Sequence, residues 1–223
     1  MGLRSRLFAA TYDRQTAKLE AAWLGEQRSA LLAGISGRVL EIGGGTGANL
    51  GRYGAALESL VVTEPDPAML KRLDRRVRDD APLVKVLRAP AEDLPFEDES
   101  FDVVVSTLVL CGVSDQPRAL RQLRRVLRPG GELRFLEHVR SDDDRLAHRQ
   151  DRMNWLNRIV VRCDCNRSTL DAIQAAGFVV RRVEHHTAPT VPSFVSPWIV
   201  GVATSPPSSE PVGDVAAARA GHP

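Results

Sequence analysis

The sequence predicts an α/β protein in which a mostly parallel β-sheet carries helices on both faces. Short apolar runs alternate with amphipathic helical patterns along most of the 223 residues, and this alternation is typical of parallel sheets. A glycine-rich turn, Gly43 to Gly47, directly follows the first strand-like run. The last two strand-like runs are joined by a loop too short for a crossover helix, so we expect those two strands to be antiparallel neighbours.

The first half of the chain predicts an N-terminal helical region followed by three strands. Residues 5–32 lack proline and carry apolar side chains at roughly helical spacing, so we expect one or two helices there. The segments that follow are predicted, in order, as strand, helix, strand, helix and strand: GRVLEIG, ANLGRYGAAL, SLVVTEPD, PAMLKRLDRRVRDD and LVKVLRA.

The second half predicts the remaining strands and a change of pattern near the end. FDVVVSTLVL is predicted as the fourth strand, QPRALRQLRRVL as a helix stopped by Pro129-Gly130-Gly131, and ELRFLEH as the fifth strand. A polar insertion at 141–152 precedes a helical stretch around Trp155 and a helix at about 168–176. The closing antiparallel pair is FVVRRVEHH and SPWIVGVAT.

Composition limits the organisation and the partners. A chain with 43% hydrophobic residues can bury one sizeable core, so we expect a helical segment at 1–36, one α/β domain at 37–204 and a disordered, proline-rich tail at 205–223. The net charge of +2 gives no basic field, so we expect a small-molecule partner and no nucleic acid. No signal for an oligomeric state is evident.

Cysteine usage and hydropathy indicate a cytoplasmic location. Three cysteines are too few for a disulfide framework, and no signal peptide or long apolar span precedes them. We therefore expect no stable membrane insertion, and a peripheral contact through Leu3, Leu7 and Phe8 is left open.

The glycine-rich turn alone does not identify a cofactor. Its residues satisfy the dinucleotide pattern G-x-G-x-x-G/A, which would allow a nicotinamide or flavin enzyme, and they equally fit glycines at Gly43, Gly45 and Gly47. Glu41, two residues before the turn, would repel a pyrophosphate. A cofactor with a cationic end, such as S-adenosylmethionine with its sulfonium and ammonium groups, suits this carboxylate better.

Residues after the second and third strands suit an adenosyl group. Glu64 lies seventeen residues after Gly47, where a carboxylate can accept both ribose hydroxyls, a device that NAD enzymes share. Pro65 and Met69 are predicted to flank the adenine, whose edge would meet the N–H of Ala91 and the carboxylate of Glu92. Asn49 and Thr107 complete the predicted cofactor site.

Six segments, spread over about Gly37 to Ala203, resemble class I methyltransferases. Within that superfamily, the resemblance is strongest to the small thiol S-methyltransferase group and its bacterial relatives. They are VLEIGGGTGANL, EPDPAML, AEDLPFEDESFDVVVSTLVLCGVSD, VLRPGGELRFLEHVRS, CDCNRSTLDAIQAAGF and PWIVGVA. The resemblance implies a Rossmann-like seven-stranded sheet with the last strand antiparallel, S-adenosylmethionine across the carboxyl ends of the first strands, and methyl transfer to a small acceptor. It also implies that Glu41, Gly43, Gly45 and Gly47 hold the methionine end, Glu64 the ribose, and Ala91 with Glu92 the adenine.

The sequence departs from its relatives at two places. Related quinone-ring methyltransferases usually have Asp where this chain has Pro90, so the adenine amino group would depend on Glu92. The animal thiol enzymes begin with a hydrophobic membrane segment, whereas this chain begins LRSRLFAATYDRQ after Met-Gly. Membrane residence is therefore not carried over.

The acceptor side is less determined. His138 follows the fifth strand at the edge where substrates bind in such folds, so we predict that it accepts a proton or contacts the substrate, with capping of the strand end as the alternative. A thiol is favoured because its pKa of about 8.5 demands little help. Quinone, phenol and amine acceptors stay open, as do an NAD(P)-dependent oxidoreductase and a non-catalytic regulator.

No metal is expected from the cysteines. Cys163 and Cys165 form a lone C-x-C that lacks the second spaced pair typical of zinc sites, even with His185 and His186 considered as further ligands. Cys111 is interpreted as a small buried hydrophobe that could line the pocket.

Overall fold

Seven strands form one mixed sheet in the computed structural model, which describes residues 3–80 and 84–206. The strands are β1 (Gly37–Ile42), β2 (Leu57–Thr63), β3 (Val84–Leu87), β4 (Phe101–Thr107), β5 (Leu127–His138), β6 (Val179–Thr187) and β7 (Pro197–Thr204). The helices are α1 (Leu3–Leu19), α2 (Gly25–Leu32), α3 (Pro67–Asp80), α4 (Gln116–Val126), α5 (Asp144–Val160) and α6 (Thr169–Ala175). A π-helical segment, Glu20–Leu24, joins α1 to α2.

The strand order is β3-β2-β1-β4-β5-β7-β6. The strands from β3 to β5 are parallel, while β7 runs antiparallel to both β5 and β6. The predicted seven-stranded sheet with an antiparallel last strand is confirmed. Because the chain turns to opposite sides after β1 and at β4, the carboxyl ends of these two strands form a topological switch point, where open α/β sheets bind ligands.

The central strands bury both faces, which explains why they read as continuous apolar runs. Leu40, Ile42 and Val104 pack in one cluster that includes the apolar side of α4. Val39 and Val103 pack on the opposite face, in a cluster that includes side chains of α3. The glycine turn after β1 is thereby held on a rigid support.

The helix predicted over ANLGRYGAAL is wrong. The structure has turns there and a single 3₁₀ turn, Leu50–Arg52. Gly51 and Gly54 weaken a helix in this segment, and the side chains of Asn49 and Tyr53 are both hydrogen-bonded to Glu41. These buried hydrogen bonds fix the segment in a different conformation.

Two strand boundaries also differ from the prediction. β4 ends at Thr107 rather than Leu110, because Leu108 has a positive φ of 62° and the next three N–H groups point to the Glu137 carboxylate. β5 begins at Leu127 rather than Glu132, with a register shift against β4 in between. The helix predicted before it ends at Val126, ahead of the Pro-Gly-Gly sequence.

The ends of the chain and the polar insertion complete the comparison. Much of 141–152, predicted as an insertion, belongs to α5, whose first turn is capped by Asp143 accepting from the N–H of Leu146 at 2.8 Å. Of the predicted disordered tail, 207–223 lie outside the described residues. Ser205 is described and pairs with Gly131 through its backbone N–H at 2.9 Å. Within the described ranges, no helix combines the length and hydropathy needed to cross a membrane.

Candidate active site

A cavity of about 650 Å³ opens at the carboxyl ends of the parallel strands. It brings together most of the residues predicted from the sequence. Those that line it are Gly43, Gly45, Glu64, Pro65, Met69, Ala91, Glu92 and His138. The cavity therefore joins the predicted cofactor residues to the predicted catalytic residue.

Helix α1 covers one side of this cavity through Phe8, Tyr12 and neighbouring side chains. The Ser5 hydroxyl donates to the Asp66 carboxylate at 2.6 Å, and Thr46 in the glycine turn donates to Asp13 at 2.6 Å. Burial raises the pKa of Tyr12 to about 12, so its phenol is neutral at physiological pH. The N-terminal helix is thus a wall of the site, which the sequence did not predict.

The glycine turn has the geometry of a loop that brings its backbone close to a ligand. Gly43 has a φ of +56°, and a Cβ built there would lie 2.6 Å from a methyl of Val109. Gly45 has a φ of +58° and faces open space apart from one distant carbonyl. Only glycine meets both conditions without strain. Gly47, by contrast, packs toward Leu50 rather than lining the cavity.

Glu64 is held by two backbone donors at the edge of the cavity. Its carboxylate accepts the N–H of Gly45 at 2.8 Å and that of Asp66 at 2.8 Å. Burial raises its pKa, and these two hydrogen bonds oppose the rise. An ionised carboxylate has about four acceptor positions, so Glu64 retains the capacity to accept two ligand hydroxyls.

Glu41, Asn49 and Thr107 lie together, but in a buried network beside the cavity rather than among the residues that line it. Asn49 donates to Glu41 at 3.0 Å and to Thr107 at 3.0 Å, and Tyr53 donates to Glu41 at 2.7 Å. Arg28 completes the network with hydrogen bonds of 2.9 Å to Asn49 and to Thr107. The pKa of Glu41 is raised by burial, against the hydrogen bonds and the charge of Arg28.

Ala91 and Glu92 lie on the loop after β3, at the predicted adenine end. One oxygen of Glu92 accepts from both the N–H and the hydroxyl of Ser114 at 2.8 Å. Burial alone would raise the pKa of Glu92, but these hydrogen bonds outweigh it and the pKa is lowered. A contact between Glu92 and adenine would therefore be made by a carboxylate that already fixes the loop before α4.

His138 ends β5 and meets two cysteines at the other end of the cavity. Its Nδ1 lies 3.1 Å from the Sγ of Cys163, and the donor atoms of Cys111, His138 and Cys163 all lie within 4.8 Å of one another. The hydrogen bond from Cys111 and the proximity of His138 lower the pKa of Cys163. The pKa of Cys111 is raised by the same hydrogen bond and by burial.

Trp198 on β7 supports the His138 ring. The two ring centroids are 4.0 Å apart in an edge-to-face arrangement, and the Trp23 ring packs edge-on against Trp198 with a centroid distance of 5.3 Å. Trp198 is 1% exposed. Strand β7, which runs antiparallel to β5, thus supplies the apolar side chain that packs against the predicted catalytic residue.

The buried carboxylate of Glu137 shapes the loop that carries Cys111. It accepts from the hydroxyl of Ser106 at 2.7 Å and from the N–H of Cys111 at 3.2 Å, and it also accepts the N–H groups of Val109 and Leu110 at 3.1 Å. Burial raises its pKa against these hydrogen bonds. Its role is to hold the loop after β4.

Comparison with known proteins identifies the family. Residues 40–135 match the family described as a methyltransferase domain. The human thiol S-methyltransferase TMT1A is 32% identical over 204 residues, which cover 88% of this chain and 82% of the human protein. The chain belongs to the class I S-adenosylmethionine-dependent methyltransferases. The methyltransferase thus takes S-adenosylmethionine as its methyl donor.

The methyltransferase is also similar to proteins outside the thiol S-methyltransferase group. The ubiquinone/menaquinone biosynthesis C-methyltransferase UbiE of Idiomarina loihiensis is 40% identical over 105 residues, which cover 45% of this chain and 42% of that protein. A Thermotoga maritima methyltransferase structure, described as a possible histamine N-methyltransferase, is 24% identical. It has a TM-score of 0.67 and covers 91% of this chain and 98% of its own, so it shares the fold.

Sequence reasoning about the methyltransferase missed Arg28, Glu137 and the pairing of Cys163 with Cys111. The sequence groups Cys163 with Cys165 and the histidines of β6, whereas in the structure the Sγ of Cys165 lies 3.6 Å from the Oδ1 of Asn154. The glutamate immediately before His138 in LEH was an available signal, because a charged residue inside a buried strand demands partners. Arg28 had no such signal in a helix of mixed composition.

Proposed function

We propose that this methyltransferase transfers the methyl group of S-adenosylmethionine to the sulfur of a small, mainly apolar thiol. The observation that carries the proposal is the arrangement of the acceptor end: His138 packs against Trp198, and the cavity that it shares with the glycine turn is lined by many apolar side chains. The apolar side chains include Leu24, Val109, Val191, Val195 and Trp198. The similarity to human thiol S-methyltransferases over most of the chain supports the same acceptor class.

The proposed chemistry needs positioning more than proton transfer. Methyl transfer from a sulfonium is an in-line displacement that spreads an existing positive charge, so aligned reactants account for much of the rate. A thiol with a pKa of about 8.5 is partly ionised at neutral pH. His138 is the proposed catalytic residue, which contacts the acceptor sulfur and assists its deprotonation.

The proposed cofactor contacts follow from the cavity wall. Gly43 and Gly45 would lie against the methionine part, Glu64 would accept the ribose hydroxyls, and Pro65 with Met69 would flank the adenine beside Ala91 and Glu92. Glu41, Asn49, Thr107 and Gly47 do not line the cavity. We propose that they fix the glycine turn and that Glu41 supplies negative charge near the cationic methionine end of the cofactor.

A quinone ring is the second candidate acceptor. The match to UbiE over 105 residues favours it, although that match covers less of the chain than the match to the thiol enzymes. A quinone would use the same apolar walls and would need carbon rather than sulfur to attack the methyl group.

The deciding experiment measures S-adenosylhomocysteine formation with matched panels of small thiols, phenols, amines and a reduced quinone. We expect turnover with apolar thiols. Turnover confined to the quinone would overturn the thiol assignment. Absence of turnover with every acceptor, together with measurable binding of S-adenosylmethionine, would favour a non-catalytic regulator.

We also propose that the protein works in the cytoplasm, that residues 1–36 form a covering segment and that residues 37–204 form the methyltransferase domain. The free thiols of the three cysteines support a reducing compartment. The position of α1 against the cavity supports the covering role. Of the residues named for a peripheral membrane contact, Leu7 is 64% exposed and supports it, whereas Phe8 lines the cavity and does not.

A further inference from the structure

We propose that Cys111, His138 and Cys163 form a zinc site whose fourth coordination position opens into the cavity. Their donor atoms lie within 4.8 Å of one another, although the residues come from three separate parts of the chain. All three line the cavity. The inference departs from the sequence-based expectation of no metal and rests on the proposed thiol acceptor for its catalytic meaning.

The protein itself holds the two cysteines side by side. The Cys111 carbonyl accepts the N–H of Asp164 at 2.8 Å, which ties the loop after β4 to the segment after α5. The Cys163 carbonyl accepts from the Asn157 side chain at 2.7 Å, and the Cys111 N–H donates to Glu137. None of these three contacts uses the sulfur atoms. The sulfur atoms interact with each other and with His138, and a bound metal would replace those hydrogen bonds.

The donor set and the spacing suit zinc. Zinc binds thiolate sulfur at about 2.3 Å and imidazole nitrogen at about 2.1 Å, so a tetrahedral site separates the two donors by about 3.6 Å. The Nδ1 to Sγ distance of 3.1 Å between His138 and Cys163 is close to this separation and needs a movement of about half an ångström. A small rotation of the partly exposed His138 ring would supply this movement.

Three protein ligands indicate a catalytic rather than a structural metal site. Structural zinc sites close the coordination shell with four protein ligands, whereas catalytic sites leave the fourth position to water or substrate. Two thiolates and a neutral imidazole balance the charge of Zn²⁺. The occupied site is therefore neutral and does not repel the sulfonium of the cofactor.

The open position would bind the acceptor thiol. The thiol loses its proton to solvent as its sulfur replaces a zinc-bound water. The zinc-bound thiolate then attacks the methyl carbon, so a new sulfur–carbon bond forms while the sulfonium–carbon bond breaks and its electron pair stays on S-adenosylhomocysteine. The resulting thioether is a weaker ligand and leaves the metal. In this form His138 would act only as a metal ligand, and the positive charge of zinc, rather than the imidazole, would favour loss of the thiol proton.

The test uses the full chain, kept reduced, stripped with a chelator and then titrated with Zn²⁺ or Co²⁺. We expect one equivalent of zinc, and with cobalt a thiolate charge-transfer band and the strong visible absorption of tetrahedral coordination. Cys163→Ser and His138→Ala should lower metal affinity at least about 100-fold, more than the loss of a supporting residue around a ligand. Cys165→Ser is the matched control, since that thiol lies against Asn154, and should bind like the wild type.

The outcomes separate this inference from the proposed function. Absence of stoichiometric metal in the wild type, or equal binding by wild type and Cys163→Ser of normal fold by circular dichroism, would overturn the zinc site. Thiol methylation by the metal-free protein at the zinc-loaded rate would overturn the role of zinc while the proposed function stands. One bound zinc with methylation of no thiol would contradict the proposed function and leave the metal site intact.

Discussion

The two ends of the cavity are built in different ways. At the cofactor end, Glu64 lies seventeen residues after the glycine turn, and its carboxylate accepts the N–H of Gly45 in that turn at 2.8 Å. At the acceptor end, Cys111 follows β4, His138 ends β5 and Cys163 follows α5. The fold brings these three distant positions together. The first end is a local motif, and the second is a product of the tertiary fold.

This difference explains which parts could be predicted. The turn, Glu64 and helix α3 follow one another along consecutive elements of the chain, and α3 has the bounds that the sequence predicts. The antiparallel final pair followed from loop length alone. The pairing of Cys163 with Cys111 depends on contacts across 52 positions, which no local pattern records. The helix predicted after the turn is absent for a similar reason. Asn49 is hydrogen-bonded to Arg28 and Glu41, and Tyr53 to Glu41. These partners lie outside the segment, so its own sequence does not reveal them.

The largest effect, a loss of stability, is expected for Glu137→Ala, which removes contacts only at the acceptor end. Four donors, three of them buried, lose their acceptor, and unsatisfied buried groups cost about 1 to 3 kcal/mol each before relaxation. We expect the free energy of unfolding to fall by about 3 to 5 kcal/mol, measured by chemical denaturation. Glu132→Ala on the same strand, which removes a partly exposed ion pair with Arg134, should cost about 1 kcal/mol or less. Equal losses would contradict the role of Glu137.

His138→Ala tests whether the acceptor end can fail while the cofactor end works. We expect thiol methylation to slow by about 100-fold, the lower end for a residue that assists deprotonation, with the dissociation constant of S-adenosylmethionine unchanged. His185→Ala, on the exposed surface of β6, is the control. A parallel loss of cofactor affinity in His138→Ala would show that the two ends are not separate.

Glu64→Ala is the converse experiment at the cofactor end. Loss of a carboxylate that accepts two ligand hydroxyls should weaken S-adenosylmethionine binding by about 1.5 to 3 kcal/mol, the range for charged hydrogen bonds. Isothermal calorimetry measures this directly, with Glu58→Ala on the exposed part of the same strand as control. An unchanged dissociation constant would rule out the ribose assignment.

The smallest effect is a pH dependence of stability at Glu64. Its pKa is raised in the folded protein by burial, so the folded state holds the proton more tightly than the unfolded chain, where the pKa is about 4.3. Stability is then greatest below that value and falls as pH rises through the interval up to the folded pKa. Glu64→Gln cannot titrate, so its melting temperature should gain on the wild type across this interval. A difference in melting temperature between Glu64→Gln and the wild type that stayed constant from pH 4 to pH 7 would contradict the raised pKa of Glu64.

Trp198 gives the acceptor end an optical signal of its own. The chain has three tryptophans; Trp198 is buried 4.0 Å from the His138 ring, Trp23 lies 5.3 Å from Trp198, and Trp155 is 61% exposed. We expect emission from buried Trp198 and its partly buried neighbour Trp23 to respond to the charge and ligation of the imidazole, while exposed Trp155 contributes a steady background. Filling of the acceptor end can therefore be followed by intrinsic fluorescence in the unlabelled protein.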